Sequence, residues 1–206
     1  MATTTLAFHG SSGTPLSIRN IIEAWKITSS NNIHTVQGPF DKEDGYCWWN
    51  MPPSVRSSTA STYEGYEISQ ERALKVLDQH RPDLVVGHSQ GAILLAALLA
   101  NRSIVRHPPL GYVFNGVAWP NPYTTELESL NGLDGVRVLL IVGVKDRINP
   151  PEQALRLQDS LTRAGAHVDR VDHPGGHAVP TDEDMVSRVQ SWIAQGRVSE
   201  ADMASS

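Results

Sequence analysis

Cysteine is almost absent from this 206-residue chain, where Cys47 stands alone. One thiol cannot close an intramolecular disulfide, so the fold does not depend on an oxidising compartment and a reduced, intracellular setting fits. Long apolar runs are missing too. The longest, residues 92–100, is too short to cross a bilayer, and residues 1–8 lack the basic segment and extended apolar stretch of a secretory leader. A cytoplasmic protein with no membrane span is expected. Positive charge is scarce and dispersed: seventeen Lys and Arg against twenty-two Asp and Glu give a net charge of −5, with no basic stripe suited to phosphate. Nucleic acid is therefore not an expected partner. The polar excess of a disordered chain is lacking as well, since 40% of residues are hydrophobic and only 19% charged. At this length one domain with a single sizeable core is expected over residues 1–196, with the polar residues 197–206 as a fraying tail.

What the chain does contain is an alternation of strand-like and helix-like segments. Residues 4–8 are β-branched and apolar and run into His9-Gly10-Ser11-Ser12-Gly13, which reads as a buried strand ending in a glycine-bearing loop. Helical spacing follows over residues 15–28, and residues 33–36 read as a second strand. Residues 37–62, with Gly38-Pro39, Gly45 and Pro52-Pro53, are too broken for a regular element and suggest a loop walling a substrate site. Helices are predicted over residues 63–80, 92–100, 152–164 and 181–195, and strands over 83–86, 110–114, 136–142 and 167–171. Thr181 reads as the N-cap of the closing helix. Strands alternating with helices predict an α/β fold with a doubly wound, mostly parallel sheet. No internal repeat is present, and 206 residues leave little room for a large cap domain.

Gly87-His88-Ser89-Gln90-Gly91 lies between the apolar strand at 83–86 and the apolar helix at 92–100. A serine nucleophile must project clear of its own backbone, and a sharp strand-to-helix turn does this where small neighbours let the chain pack closely. Gly and Ser are common, so the motif alone is weak; its placement makes Ser89 the predicted nucleophile. The turn also sets Ser89 at a helix N-terminus, making the Gln90 amide a candidate oxyanion donor. The second donor is expected from the loop after the first strand, at the amide of Ser11 or of its neighbour Ser12.

In this arrangement the acid follows the serine and the histidine comes last. Asp146, in the loop after the strand at 136–142 and before Pro150-Pro151, is the predicted acid, with Asp169 and Asp172 as weaker substitutes. His177, beyond Gly175-Gly176, is the predicted base; His173 competes with it. A His173/His177 metal pair is disfavoured because Pro174-Gly175-Gly176 breaks helical i,i+4 geometry, so no metal is expected. His34, His80, His107 and His167 lack supporting context. Cys47 has no accompanying base or glycine turn and reads as structural. Trp48, Trp49 and Met51 could line an acyl pocket or pack their loop down.

Taken together, Phe8-His9-Gly10, Trp48-Trp49, Tyr63-Glu64-Gly65, Gly87-His88-Ser89-Gln90-Gly91-Ala92, Asp146 and Gly176-His177 resemble the family of small serine hydrolases called FSH, which includes the ovarian-cancer-associated protein 2 homologues. The resemblance runs through most of the chain. It implies a minimal α/β-hydrolase fold and esterase or thioesterase chemistry on acyl substrates, with Ser89, Asp146 and His177 at the triad positions and no cofactor. Two departures stand out: the family more often has Phe where this chain has His88, and the segment after His9-Gly10 is atypical. A carboxylic ester of a small or exposed acyl group is the expected substrate; a CoA- or carrier-bound thioester is the alternative. A ligand-binding protein on the same scaffold is the non-enzyme reading.

Overall fold

A computed structural model describes residues 3–27, 32–104, 106–108 and 110–203. Strands β1 (Thr4–Phe8), β2 (Asn32–Val36), β5 (Leu84–His88), β6 (Gly111–Asn115), β7 (Arg137–Gly143) and β8 (His167–His173) form one six-stranded sheet in the order β2-β1-β5-β6-β7-β8. Every pairing in it is parallel. Parallel neighbours need crossovers, and helices α1 (Pro15–Ala24), α2 (Tyr66–His80), α3 (Gln90–Ala100), α4 (Thr124–Glu128), α5 (Pro151–Arg163) and α6 (Glu183–Met203) supply them or close the chain. The doubly wound architecture expected from the sequence is thus observed, with no large inserted cap among the described residues.

Both faces of the sheet are covered, as the side-chain alternation of its strands requires. Leu6, Phe8, Val85, Tyr112, Phe114, Val138 and Leu140 point into one core, against α2, α3 and α5. Ala7, Leu84, Val86, Val113, Leu139 and Ile141 point into the other, against Ile18 and Ile22 of α1 and Val189 and Trp192 of α6. Helix α3 is buried along its whole length, which explains why its sequence shows no polar face. Helix α1 opens on a capping box in which Ser17 N donates to Thr14 Oγ1 and Thr14 N donates to Ser17 Oγ.

Several boundaries differ from those read in the sequence. Residues 37–62 are not wholly irregular: β3 (Phe40–Lys42) and β4 (Gly45–Cys47) pair as a short antiparallel hairpin, hidden from pattern reading because three-residue strands carry almost no periodicity. The closing helix starts at Glu183, and Asp182 Oδ1, not Thr181, accepts from Met185 N at 3.1 Å. It runs on to Met203 past the expected end at residue 195, taking in most of the stretch read as a tail; residues 204–206 lie outside the described residues.

The chain leaves β1 toward β2 on one side and returns to place β5 on the other. The loops beyond the C-terminal ends of β1 and β5 therefore diverge, and a crevice opens where the winding reverses. His9-Gly10-Ser11 and the Ser89 turn meet there.

Candidate active site

Ser89 follows β5 with φ 50° and ψ −118°, a backbone conformation rarely adopted outside glycine. Its neighbours make that turn possible. A Cβ on Gly87 would fall 2.7 Å from Ala92 Cα, and one on Gly91 would fall 2.5 Å from Phe8 O, so only glycine lets α3 come this close to β1. The strained turn is anchored by Ser89 N donating to Asn115 O at 2.9 Å across the β5–β6 pairing.

Three side chains from three loops meet beside it. His177 Nε2 lies 2.8 Å from Ser89 Oγ, and His177 Nδ1 lies 2.6 Å from Asp146 Oδ2. Asp146 is nearly sealed from solvent, with its second oxygen accepting from the Ile148 and Asn149 amides at 2.8 and 2.9 Å. Asn149 Nδ2 in turn donates to Gly116 O at 2.6 Å, and a Cβ on Gly116 would fall 3.1 Å from His177 Cε1. Gly116 thus seats the imidazole. Close packing of Gly143 against Gly176 O turns the chain toward His177, which a Cβ 2.1 Å from that oxygen would prevent.

The other predicted acids and bases are engaged elsewhere. Asp169 Oδ2 accepts from Trp192 Nε1 at 2.8 Å, Asp172 pairs with Arg170, and His173 Nδ1 accepts from Gly175 N at 3.3 Å. His34 and His80 stack on each other with ring centroids 3.8 Å apart. Among the described residues no group of three or more His, Cys, Asp or Glu could hold a metal ion. No described helix is long and apolar enough to cross a membrane.

The loop after β1 is held by a histidine the sequence did not single out for this. His9 is buried; its Nδ1 lies 2.7 Å from Gly10 O, its Nε2 accepts from Gly38 N at 2.9 Å, and its ring stacks on Trp48. Burial pulls its pKa below the ordinary value, which keeps it in the neutral form this bonding needs. The hairpin segment clasps the same loop: Tyr46 N donates to Gly13 O, Trp48 Nε1 donates to His9 O, and Lys42 Nζ donates to Ser11 Oγ at 2.9 Å. Ser11 is exposed, and Ser12 takes φ 59°. Gln90 is the first residue of α3, where the amide has no partner within the helix. Its side chain bonds Trp48 N and Trp49 O.

Of the two readings left open for Trp48 and Trp49, packing their loop down fits their burial. Both are 0% exposed in the core beneath the site, Trp49 stacked on Tyr63, while Met51 is half-buried against the same cluster. Aromatic area this large gains more from full burial than from facing water, so these residues pack their segment down. Cys47 is also buried, with its thiol pKa raised by burial, which removes thiolate character. Sequence reasoning missed Asn115, Gly116 and Asn149. Only the glycine that follows β6 signals the first two, and nothing local marks Asn149.

The family profile described as "Serine hydrolase (FSH1)" matches residues 15–189. None of the curated proteins compared matches the chain. Among solved structures it is similar to the Bacillus cereus carboxylesterase, at 20% identity and TM-score 0.72, covering 95% of this chain and 89% of that one. It is also similar to Arabidopsis thaliana SOBER1, at 19% identity and TM-score 0.72 over 95% of this chain and 99% of that one. YahD with malic acid gives 15% identity and TM-score 0.76 over 95% and 94%. At such identities these structures establish the shared α/β fold. The profile match takes in most of the chain, from α1 into α6 and through Ser89, Asp146 and His177, and the chain therefore belongs to the FSH1 serine hydrolase family.

Proposed function

We propose that the protein hydrolyses carboxylic esters of small or exposed acyl groups through a Ser89–His177–Asp146 triad. The observation that carries this reading is the unbroken hydrogen-bond path from Ser89 Oγ through His177 to Asp146, with spacings of 2.8 and 2.6 Å. His177 Nε2 takes the Ser89 proton as Oγ attacks the ester carbonyl carbon. Asp146 holds the imidazole in the tautomer that leaves Nε2 free to accept, and stabilises the imidazolium once formed. The tetrahedral oxyanion is met by the amides of Gln90 and Ser11, in keeping with Gln90 opening α3 and Gly10 lying against Ser89. Collapse expels the alcohol, which takes the proton from His177. Water, deprotonated by the same histidine, then releases the acid from the acyl-enzyme. The cycle needs no cofactor.

A fluorophosphonate probe is expected to label the wild-type protein and not Ser89→Ala, and that variant should lose ester hydrolysis by at least about a thousandfold. Labelling or full turnover that survives in Ser89→Ala would remove the reading. Matched oxygen and sulfur esters assign the leaving group: faster turnover of the sulfur ester would favour a thioesterase.

A further inference from the structure

Strand β2 forms one edge of the sheet, and β1 separates it from β5 and the Ser89 turn. A groove of about 430 Å³ lies against it, bordered by α1 and α2. Apolar side chains of Ile33, Val36 and Val76 line this groove together with Arg19, His34, Arg72 and His80, and among the described residues no Asp or Glu does. In a chain of net charge −5, that grouping of basic side chains is selective.

Both guanidiniums are fixed on the same strand. Arg19 Nη2 donates to Ile33 O at 2.9 Å, and Arg72 Nη1 donates to Gln37 O at 3.0 Å. Each bond uses one of five guanidinium donors and leaves the others free to bind. Glu23 is the one acid paired with this cluster; its Oε1 lies 4.0 Å from Arg19 Nη1, too long for a hydrogen bond, and both side chains are largely exposed. His34 sits between the two anchors on β2, and its ring stacks on that of His80 with centroids 3.8 Å apart and planes at 26°. Neither imidazole has a hydrogen-bond partner among the described residues, and neither carries a sealed nitrogen. Burial, followed by the neighbouring His80 and Arg19, holds the His34 pKa below its ordinary value. Leu6, opposite His34 on β1, adds no charge. Two stacked imidazoles beside a guanidinium repel one another on protonation, and a counter-charge must come from outside the chain. A metal cation is disfavoured, because the guanidiniums repel it and no third donor stands by.

We propose that this groove binds a small organic phosphate monoester, with the phosphoryl group held by Arg19, His34 and His80 and the organic body lying over Val76 toward Arg72. A tetrahedral dianion offers three acceptor oxygens and two charges to three converging donors, whereas a carboxylate offers two oxygens and one charge. Arg72 stands eight residues before His80 on α2, about 12 Å along the helix axis, which leaves room for the body between them. The site is independent of the ester-hydrolase reading, and substitutions in it should leave ester turnover unchanged.

The test is calorimetric titration of the full chain with phenyl phosphate, inorganic phosphate and phenol at pH 7 and physiological salt, about 0.15 M. Phenyl phosphate is expected to bind, inorganic phosphate to bind about tenfold more weakly, and phenol to give no signal. Arg19→Gln and His34→Gln should each weaken phenyl phosphate binding about tenfold or more, the loss of one charge-assisted hydrogen bond. His80→Gln, at the end of α2, reads the same site if His34→Gln fails to fold. The dianion favours protonated His34, so affinity should rise from pH 8 to pH 6.5, and the His34 ring protons should titrate at higher pH with phenyl phosphate than without it. Affinity unchanged within twofold in Arg19→Gln and in the histidine variant overturns the proposal, as does the absence of binding at this salt concentration. Equal affinity for inorganic phosphate overturns the monoester assignment.

Discussion

Asp146 divides its work between two oxygens. Oδ2 faces His177 while Oδ1 is occupied by two backbone amides, so the carboxylate cannot rotate without abandoning both. Asp146→Asn preserves the shape but can turn an N–H toward His177 Nδ1, favouring the wrong tautomer. The expected result is a fall in kcat of about a thousandfold to ten-thousandfold in steady-state ester hydrolysis, with the fold retained. A variant keeping a tenth of wild-type turnover would argue that Asp146 is only a capped loop residue. At this scale the meeting of Ser89, Asp146 and His177 was legible because each follows a sheet strand, in a fixed chain order, with glycines nearby. Asn115 and Asn149 were not, since a buried asparagine holding a neighbouring loop looks in sequence like any turn residue.

Between elements, the close approach of α3 to β1 sets the distance from Ser89 to the loop after β1. Gly91→Ala would put a methyl 2.5 Å from Phe8 O and 2.6 Å from His9 O; the first belongs to β1 and the second accepts from Trp48 Nε1, so neither can retreat without losing backbone pairing or that bond. Urea denaturation should show a loss of about 1–3 kcal/mol or more for this variant, with activity lost alongside. Gly176→Ala, whose methyl would meet only Lys145 O at 3.5 Å, should change stability little; equal losses in the two variants would refute the packing argument. The hairpin over residues 40–47 shows where element reading fails. Its strands pair with each other but are only three residues long, and the segment is anchored by partners distant in sequence, Tyr46 on Gly13 and Gly38 on His9, so no local pattern announces it.

For the whole molecule, several histidines are held neutral. Burial lowers the pKa values of His9, His173 and His107, and takes that of His88 to about 4, against about 6.5 for an unfolded histidine. Between these values the unfolded chain binds more protons than the folded one, so stability falls as pH drops through about 6.5 and levels off near the folded values. Urea midpoints should therefore decline from pH 7.5 to pH 5, with a shallower slope in His88→Phe. A midpoint that rises toward pH 5 would contradict the assignment. The order of the sheet strands and of the longer helices, and the turn that carries Ser89, were determined by the sequence itself, and Asp146 and His177 could be singled out there as candidates, because apolar periodicity and glycine placement are local signals. Only the tertiary structure decided that Trp48 and Trp49 are buried in the core and that His9 pins the first loop. Burial and hydrogen-bond partners are set by residues tens of positions away, and no spacing along the chain records them.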